Sequence, residues 1–351
     1  MLGPKKKPFF KRKTVWILLL IAAFVFLNNS SILVRQAKHA DERPLLLAHR
    51  GLAQTFPMAG ITGETNTAQC IYEPEHPYLE NTIPSMQAAF LAGADMVEFD
   101  VQRTKDGQLA VFHDAKLEYR TDGQGNVKDY TMQDLKALDA GYGYTADQGA
   151  SFPFRSRAIG MIPSLDEVLS HFPEGAFLIH IKNNDPQDGV LLAEYLKKLV
   201  DVPGSSDSGD GSSGNGSNAF GNHLARICVY GGDEPIAILK DELPNLRVMS
   251  RATTKKALIS YMALGWTGYM SASMKNAFFY LPLRYARFLW GWPHRFIKRI
   301  EAVDSIFVIV AGDGQWSEGF DTVGDLQLIP ENYTGGIWTN RIDRIAPVFG
   351  K

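Results

Sequence analysis

The sequence predicts a (β/α)8 barrel of the TIM type, carried behind one N-terminal transmembrane helix. Three observations predict this. Short apolar strands alternate with helices in about eight units over about 300 residues, which implies a parallel sheet and favours closure over an open edge. Imidazole, carboxylate and cationic side chains gather at the ends of the early strands. Lys5, Lys6, Lys7, Lys11, Arg12 and Lys13, with no acid among them, run directly into an apolar stretch from Val15 to Leu27.

That apolar stretch is shorter than the roughly 20 residues needed to span a bilayer, and adding Asn28 to Val34 reaches that length. A cleaved signal peptide is the alternative, but Ala40 has Lys38 where a cleavage site needs a small residue. The expected organisation is a basic cytoplasmic tail at 1–13, a membrane anchor at 14–34 and a barrel domain at 41–351. The basic flank then places the barrel outside the cytoplasm, on a single-pass protein. A formal net charge of −2 gives no general attraction to nucleic acid.

Along the barrel domain, Pro44 to His49 reads as a buried strand and Ile83 to Ala92 as a helix stopped by Gly93. Met96 to Asp100 is a second strand, and Leu109 to His113 a third, entered through the turn Lys105-Asp106-Gly107. A polar, Gly-rich stretch follows to about Met161, and then a helix from Leu165 to His171 with Ser164 as its N-cap. Phe177 to Lys182 is the fourth strand, followed by a helix from Gln187 to Val200. Residues 203–218 are almost purely Ser, Gly, Asp and Asn and are expected to be a flexible loop, because they cannot bury apolar surface. Arg226 to Tyr230, Arg247 to Ser250, Ser305 to Val310 and Gly336 to Trp338 are further strands, with Gly268 to Ser271 an unplaced candidate. Cys70 and Cys228 are too few for a disulfide framework, lack metal-site spacing, and read as independent thiols.

In a TIM barrel the C-terminal strand ends share one rim, where active sites lie. The first strand ends His49-Arg50-Gly51, the second carries Glu98 and Asp100, the third ends His113-Asp114, and the fourth carries His180 and Lys182. Glu98 and Asp100 are two apart on a strand and so face the same side. A strand-end histidine alone is often only a hydrogen-bonded structural residue. Two carboxylates facing a barrel interior are harder to dismiss, because without a cation they cost several kcal/mol.

His49-Arg50-Gly51, Glu80-Asn81-Thr82, Glu98-x-Asp100, Thr104-Lys105-Asp106-Gly107 and His113-Asp114 follow one another in order. Together they resemble the core pattern of the glycerophosphodiester phosphodiesterase family. Ile162 to Leu169 resembles that family's next motif and Thr339 to Asp343 its closing one. The resemblance implies a TIM barrel that cleaves glycerophosphodiesters to glycerol 3-phosphate and an alcohol. By position it makes His49 and His113 the general acid–base pair, Glu98 and Asp100 metal ligands, and Arg50 and Lys182 the phosphate-binding cations. It implies one divalent cation, Ca²⁺ or Mg²⁺. The chemistry agrees: histidine exchanges protons near neutral pH, and carboxylate oxygens suit hard cations.

Three departures from the pattern stand out. His180-Ile181-Lys182 replaces the family's Glu-x-Lys, so His180 is the expected third ligand and Mn²⁺ or Zn²⁺ becomes possible. About 28 residues separate Gly51 from Glu80, more than in the family, and they include Glu64, Glu73, Glu75 and His76. The strand before the last reads Val308-Ile309-Val310-Ala311 instead of Trp-Thr-Val. Two other functions compete: a phosphodiesterase acting on lysophospholipids or sphingolipids, and a surface binding module that has lost activity. Lastly, Phe278 to Arg299 interleaves aromatic and basic residues without an acid, a composition suited either to a lipid headgroup boundary near the rim or, since Pro282 and Pro293 break any long helix, to aromatics that cap the barrel.

Overall fold

The computed structural model of the protein describes residues 9–31, 43–200, 223–316 and 318–350. Among these, nine strands form one sheet: β1 Leu45–His49, β2 Met96–Arg103, β3 Leu109–Val111, β4 Phe177–Ile181, β5 Ile227–Gly231, β6 Arg247–Met249, β7 Phe278–Pro282, β8 Ile306–Val310 and β9 Gly336–Thr339. Eight run parallel in the order β6-β5-β4-β2-β1-β9-β8-β7, and a parallel bridge between Val248 and Ala277 brings the two ends together. The result is a nearly closed parallel barrel of eight strands. Its strands are continuous apolar runs because each is covered on both faces.

Two apolar layers follow from that. Leu47, Met96, Leu178, Phe278, Val308 and Trp338 fill the barrel interior, while Leu46, Phe99, Ile179, Val229 and Ile309 face the surrounding helices. The helices start where the side chains dictate. Thr82 caps the helix Ile83–Leu91 through a reciprocal bond with Ser85, and Ser164 caps Leu165–His171 in the same way with Glu167. Cys70 and Cys228 are both free thiols, as expected.

Two expectations need correction, and two stretches take a definite form. The third strand is not a barrel strand: β3 pairs antiparallel with β2 and lies off the barrel path. Gly268 to Ser271 is not a strand; Gly268 sits in a turn at φ +87°. The strand that takes its place is β7, hidden in the sequence by its aromatic, basic surroundings. The segment 278–299 is therefore largely core, with Phe278, Phe279 and Phe296 buried, although Tyr285 and Phe288 remain exposed. The polar, Gly-rich stretch before Met161 also carries a core of its own. Leu117, Val127, Leu135, Tyr144 and Phe154 form a second apolar cluster there, at spacings too irregular to betray a helix or strand. The loop expected at 203–218 lies outside the described residues.

An N-terminal helix does form, over Phe9–Asn29. Most of its large apolar side chains between Val15 and Leu27 are exposed. Its end is docked on the barrel: Arg299 donates to the Asn28 carbonyl at 2.7 Å, and Asn29 Nδ2 to the Trp266 carbonyl at 2.8 Å. Among the described residues no helix is long and apolar enough to cross a membrane. The transmembrane span expected at 14–34 is thus not supported, and residues 32–34 of it lie outside the described residues.

Candidate active site

The ends of β1, β2 and β4 deliver the expected residues to one place. His49 closes β1, with its ring against Trp338 at 4.9 Å between centroids. Arg50 turns away in a left-handed conformation at φ +57° and Gly51 follows at φ +80°. A Cβ on Gly51 would fall 2.8 Å from the Ser85 carbonyl carbon, so only glycine lets the β1 turn pack on the next helix. That turn aims the Arg50 N–H at Glu98 Oε2, 3.2 Å away.

Glu98 and Asp100 point from β2 into the barrel and are buried. Glu98 Oε1 accepts from the Tyr230 hydroxyl at 2.7 Å. Asp100 is held on three sides. Asn81 Nδ2 donates to it at 3.0 Å, His180 Nδ1 lies 2.8 Å away, and Arg50 Nε is 3.3 Å away. Lys182 Nζ approaches at 3.6 Å. The two carboxylates consequently diverge. Burial and the neighbouring Asp100 charge push Glu98 up to about 8. Although burial alone would raise Asp100, the charges of Lys182, His113 and Arg50 hold it well below the usual carboxylate range.

His113 reaches the rim without a barrel strand. Gln102 Nε2, on β2, donates to the carbonyls of Phe112 and Asp114 at 2.9 and 2.8 Å and fixes the turn between them. Asp114 Oδ1 then lies 2.9 Å from His113 Nδ1. Burial, and next the Arg120 charge, act on Asp114; Arg120 prevails and keeps it well below its ordinary value, so it accepts and His113 carries hydrogen on Nδ1. Burial lowers the pKa of His49, of His113 and of His180, the last to about 4. Each imidazole therefore gives up its proton more readily than a free histidine does.

His49, Arg50, His113, His180 and Lys182 line one open cleft of about 2000 Å³, with Glu98 and Asp100 beneath it. All seven expected site residues thus converge. Sequence reasoning left four others without a role: Tyr230, Asn81, Arg120 and Asn340. Tyr230 was visible as the last residue of an expected strand, and Asn81 and Asn340 lie inside recognised motifs. Arg120 stands in the polar, Gly-rich stretch to which the sequence assigns no element, and gives no signal.

The donor atoms of Glu98, Asp100 and His180 lie within 4.8 Å of one another and could hold a metal ion. The donor set fits a cation: Glu98 is a buried acid that the surrounding cations leave incompletely balanced. Glu80, His113 and Asp114 make a second such group, but Arg50 and Arg120 already pair with its carboxylates.

Residues 49–201 match the model of the Glycerophosphoryl diester phosphodiesterase family. A glycerophosphodiester phosphodiesterase of Bacillus subtilis is 36% identical over 186 residues, 51% of this chain and 57% of that one. Mouse lysophospholipase D GDPD1 is 33% identical over 137 residues, 37% of this chain and 42% of its own. The chain spans about half the length of the curated relatives it matches. Among solved structures, the glycerophosphoryl diester phosphodiesterase domain of a Mycobacterium tuberculosis protein shares the fold. It aligns at TM-score 0.56 and 19% identity, over 85% of this chain and 96% of that one. The resemblance carried by the motifs is a real one, centred on the segment that holds His49, Glu98, Asp100, His113 and His180.

Proposed function

We propose that the protein is a metal-dependent phosphodiesterase that hydrolyses glycerophosphodiesters to glycerol 3-phosphate and an alcohol. The observation that carries this reading is the convergence of two imidazoles, His49 and His113, on one cleft with the buried carboxylates of Glu98 and Asp100 beneath it. One histidine enters neutral and takes the proton of the attacking hydroxyl, becoming imidazolium; the other enters as imidazolium, gives its proton to the departing alkoxide and ends neutral. Arg50 and Lys182 hold the phosphoryl oxygens, offsetting the charge that develops there. Glu98, Asp100 and His180 would hold one divalent cation, which when bound supplies Lewis-acid polarisation of the phosphoryl group. Ca²⁺ or Mg²⁺ is the expected ion, with Mn²⁺ or Zn²⁺ admitted by the imidazole. Release of glycerol 3-phosphate from glycerophosphocholine by the full chain, lost with EDTA, tests the proposal. A chain inert towards glycerophosphocholine, glycerophosphoethanolamine and lysophosphatidylcholine in every divalent metal is instead a binding module.

A second substrate class is favoured by one observation. The cleft exceeds the roughly 300–1,000 Å³ usual for small-ligand sites, and Phe56, Met58, Ile61, Ile259, Trp316 and Leu328 line it. Room and apolar walls suit a lysophospholipid, whose acyl chain needs both. A lysophosphatidylcholine kcat/KM above that of glycerophosphocholine supports this reading, and the reverse order removes it.

The place of the protein in the cell is also a proposal: the helix 9–29 seats it at a membrane, with the barrel on the extracytoplasmic side. Support comes from the basic residues among 5–13 and from the exposed apolar side chains between Val15 and Leu27, which water alone does not cover stably. Recovery of the full chain in the soluble fraction after cell lysis would sink it.

A further inference from the structure

Behind His49 lies an array that joins Asn340 to Asp321, a residue outside every recognised motif. His49 Nδ1 is 2.6 Å from Asn340 Oδ1, at the end of β9. The other side of that amide faces Asp321, in the loop after β8. Asn340 Nδ2 donates to Asp321 Oδ2 at 2.8 Å, and the Asn340 backbone N–H donates to Asp321 Oδ1 at 2.7 Å. Thr339 Oγ1 donates to the same carboxylate at 3.1 Å. The loop is pressed against the strand end to make these bonds. A Cβ on Gly319 would fall 2.3 Å from Asp321 Oδ1 and 2.8 Å from the Asn340 backbone nitrogen.

The chemistry of the three groups leaves one arrangement. An ionised carboxylate only accepts, so the amide must turn its NH₂ to Asp321 and its oxygen to His49. An amide oxygen also only accepts, so His49 must carry its hydrogen on Nδ1. Nε2 is then the bare nitrogen, where Arg50 Nε donates at 3.1 Å. Remove the carboxylate and the amide is free to rotate by half a turn. Its NH₂ would then face Nδ1, and the hydrogen would move to Nε2, the atom that has to exchange a proton in the cleft.

We infer that Asp321 is a positioning residue that acts through Asn340 to fix the tautomer of His49. The effect on rate rests on the acid–base role proposed for His49; the tautomer itself does not. The test uses the full chain with ¹⁵N-labelled histidine. Long-range ¹⁵N–¹H spectra report the protonated nitrogen of each ring, and the His49→Gln variant identifies the His49 signals. Wild type should carry hydrogen on Nδ1, and Asp321→Asn should move it wholly or partly to Nε2. In that variant kcat on glycerophosphocholine should fall on the order of 10- to 10²-fold with KM little changed. The double change Asp321→Asn with Asn340→Asp restores a carboxylate acceptor towards Nδ1 and should restore the tautomer. Asp325→Asn is the control: Asp325 caps the same loop, accepting from the backbones of Asp321 and Thr322, without touching Asn340. It should leave tautomer and kcat unchanged. An Nδ1–H ring in Asp321→Asn, or an equal loss of kcat in Asp325→Asn, overturns the inference. A shifted tautomer with unchanged kcat upholds the array and instead removes His49 from the chemistry.

Discussion

Two clusters of the same residue types, side by side on one rim, behave in opposite ways. Glu80, His113 and Asp114 form one; Glu98, Asp100 and His180 form the other; in each the donor atoms lie within 4.8 Å. The first is closed by the chain itself. Arg120 is buried, pairs with Asp114, and lies 3.2 Å from Glu80, which Arg50 Nη1 meets at 3.1 Å. The second keeps an acid only partly answered. Glu98 has a phenol and a backbone N–H as partners and is pushed up to about 8. What separates a structural ion-pair network from a candidate cation site here is therefore Arg120, a second arginine that the first cluster has beside Arg50 and that the second, among the described residues, lacks.

The comparison can be broken at its strongest point first. If Arg120 is the counter-ion of the first cluster, Arg120→Met leaves Asp114 without its arginine and Glu80 with Arg50 alone. It should destabilise the protein by about 3–5 kcal/mol. Denaturant unfolding of the EDTA-treated protein measures this. A loss below about 1 kcal/mol would mean that the network does not need its arginine.

The histidines come next, because His113 belongs to the closed cluster and His49 borders the open one. His49→Ala and His113→Ala should each lower kcat by at least about 10²-fold while the fold survives, since both rings sit at the rim. Near-normal turnover of either variant at saturating metal removes that histidine from catalysis.

The open cluster should also reveal itself through protons. Glu98 in the metal-free protein holds a proton below about pH 8, whereas His180, lowered to about 4, is already neutral from pH 6 upward. A cation that binds Glu98 must displace that single proton. Apparent affinity should therefore rise about tenfold per unit from pH 6 to 8 and level off above. Calorimetry in two buffers of different ionisation enthalpy counts the released proton. A flat affinity between pH 6 and 8 excludes Glu98 as a ligand.

How much of this was legible in the sequence follows from the range of the interactions. Glu98-x-Asp100 and His180-x-Lys182 could be read because a two-residue spacing on a buried strand fixes a common face. The barrel could be read for the same local reason. Arg120 could not, since its partners Glu80 and Asp114 are set by how the 110–162 cluster packs back on the rim. Nor could the role of Tyr230, whose bond to Glu98 joins residues 132 positions apart. β7 was lost because its aromatics resembled a surface patch, and the pairing with β8 that buries them is non-local.

The smallest expected effect bears on the one residue by which the open cluster departs from the glycerophosphodiester phosphodiesterase pattern that the motifs otherwise resemble. His180 Nδ1 lies 2.8 Å from Asp100, and its ring stacks on Tyr230 at 4.1 Å and 10°. Two roles fit this position. As a ligand, the imidazole makes the site less negative and less hard than a carboxylate would, weakening Ca²⁺ relative to Mn²⁺ or Zn²⁺. As a prop, it only orients Asp100, and the cation takes water in its place. His180→Glu separates the two, because it restores a third hard oxygen but removes the stack and sets a third carboxylate beside Asp100. If His180 ligates, the variant should bind Ca²⁺ about tenfold more favourably relative to Mn²⁺ than wild type does. Metal titrations followed by intrinsic fluorescence give both affinities in both proteins. An unchanged Ca²⁺-to-Mn²⁺ ratio, with both affinities moved together, would make His180 the prop of Asp100 and leave Glu98 and Asp100 to hold the cation.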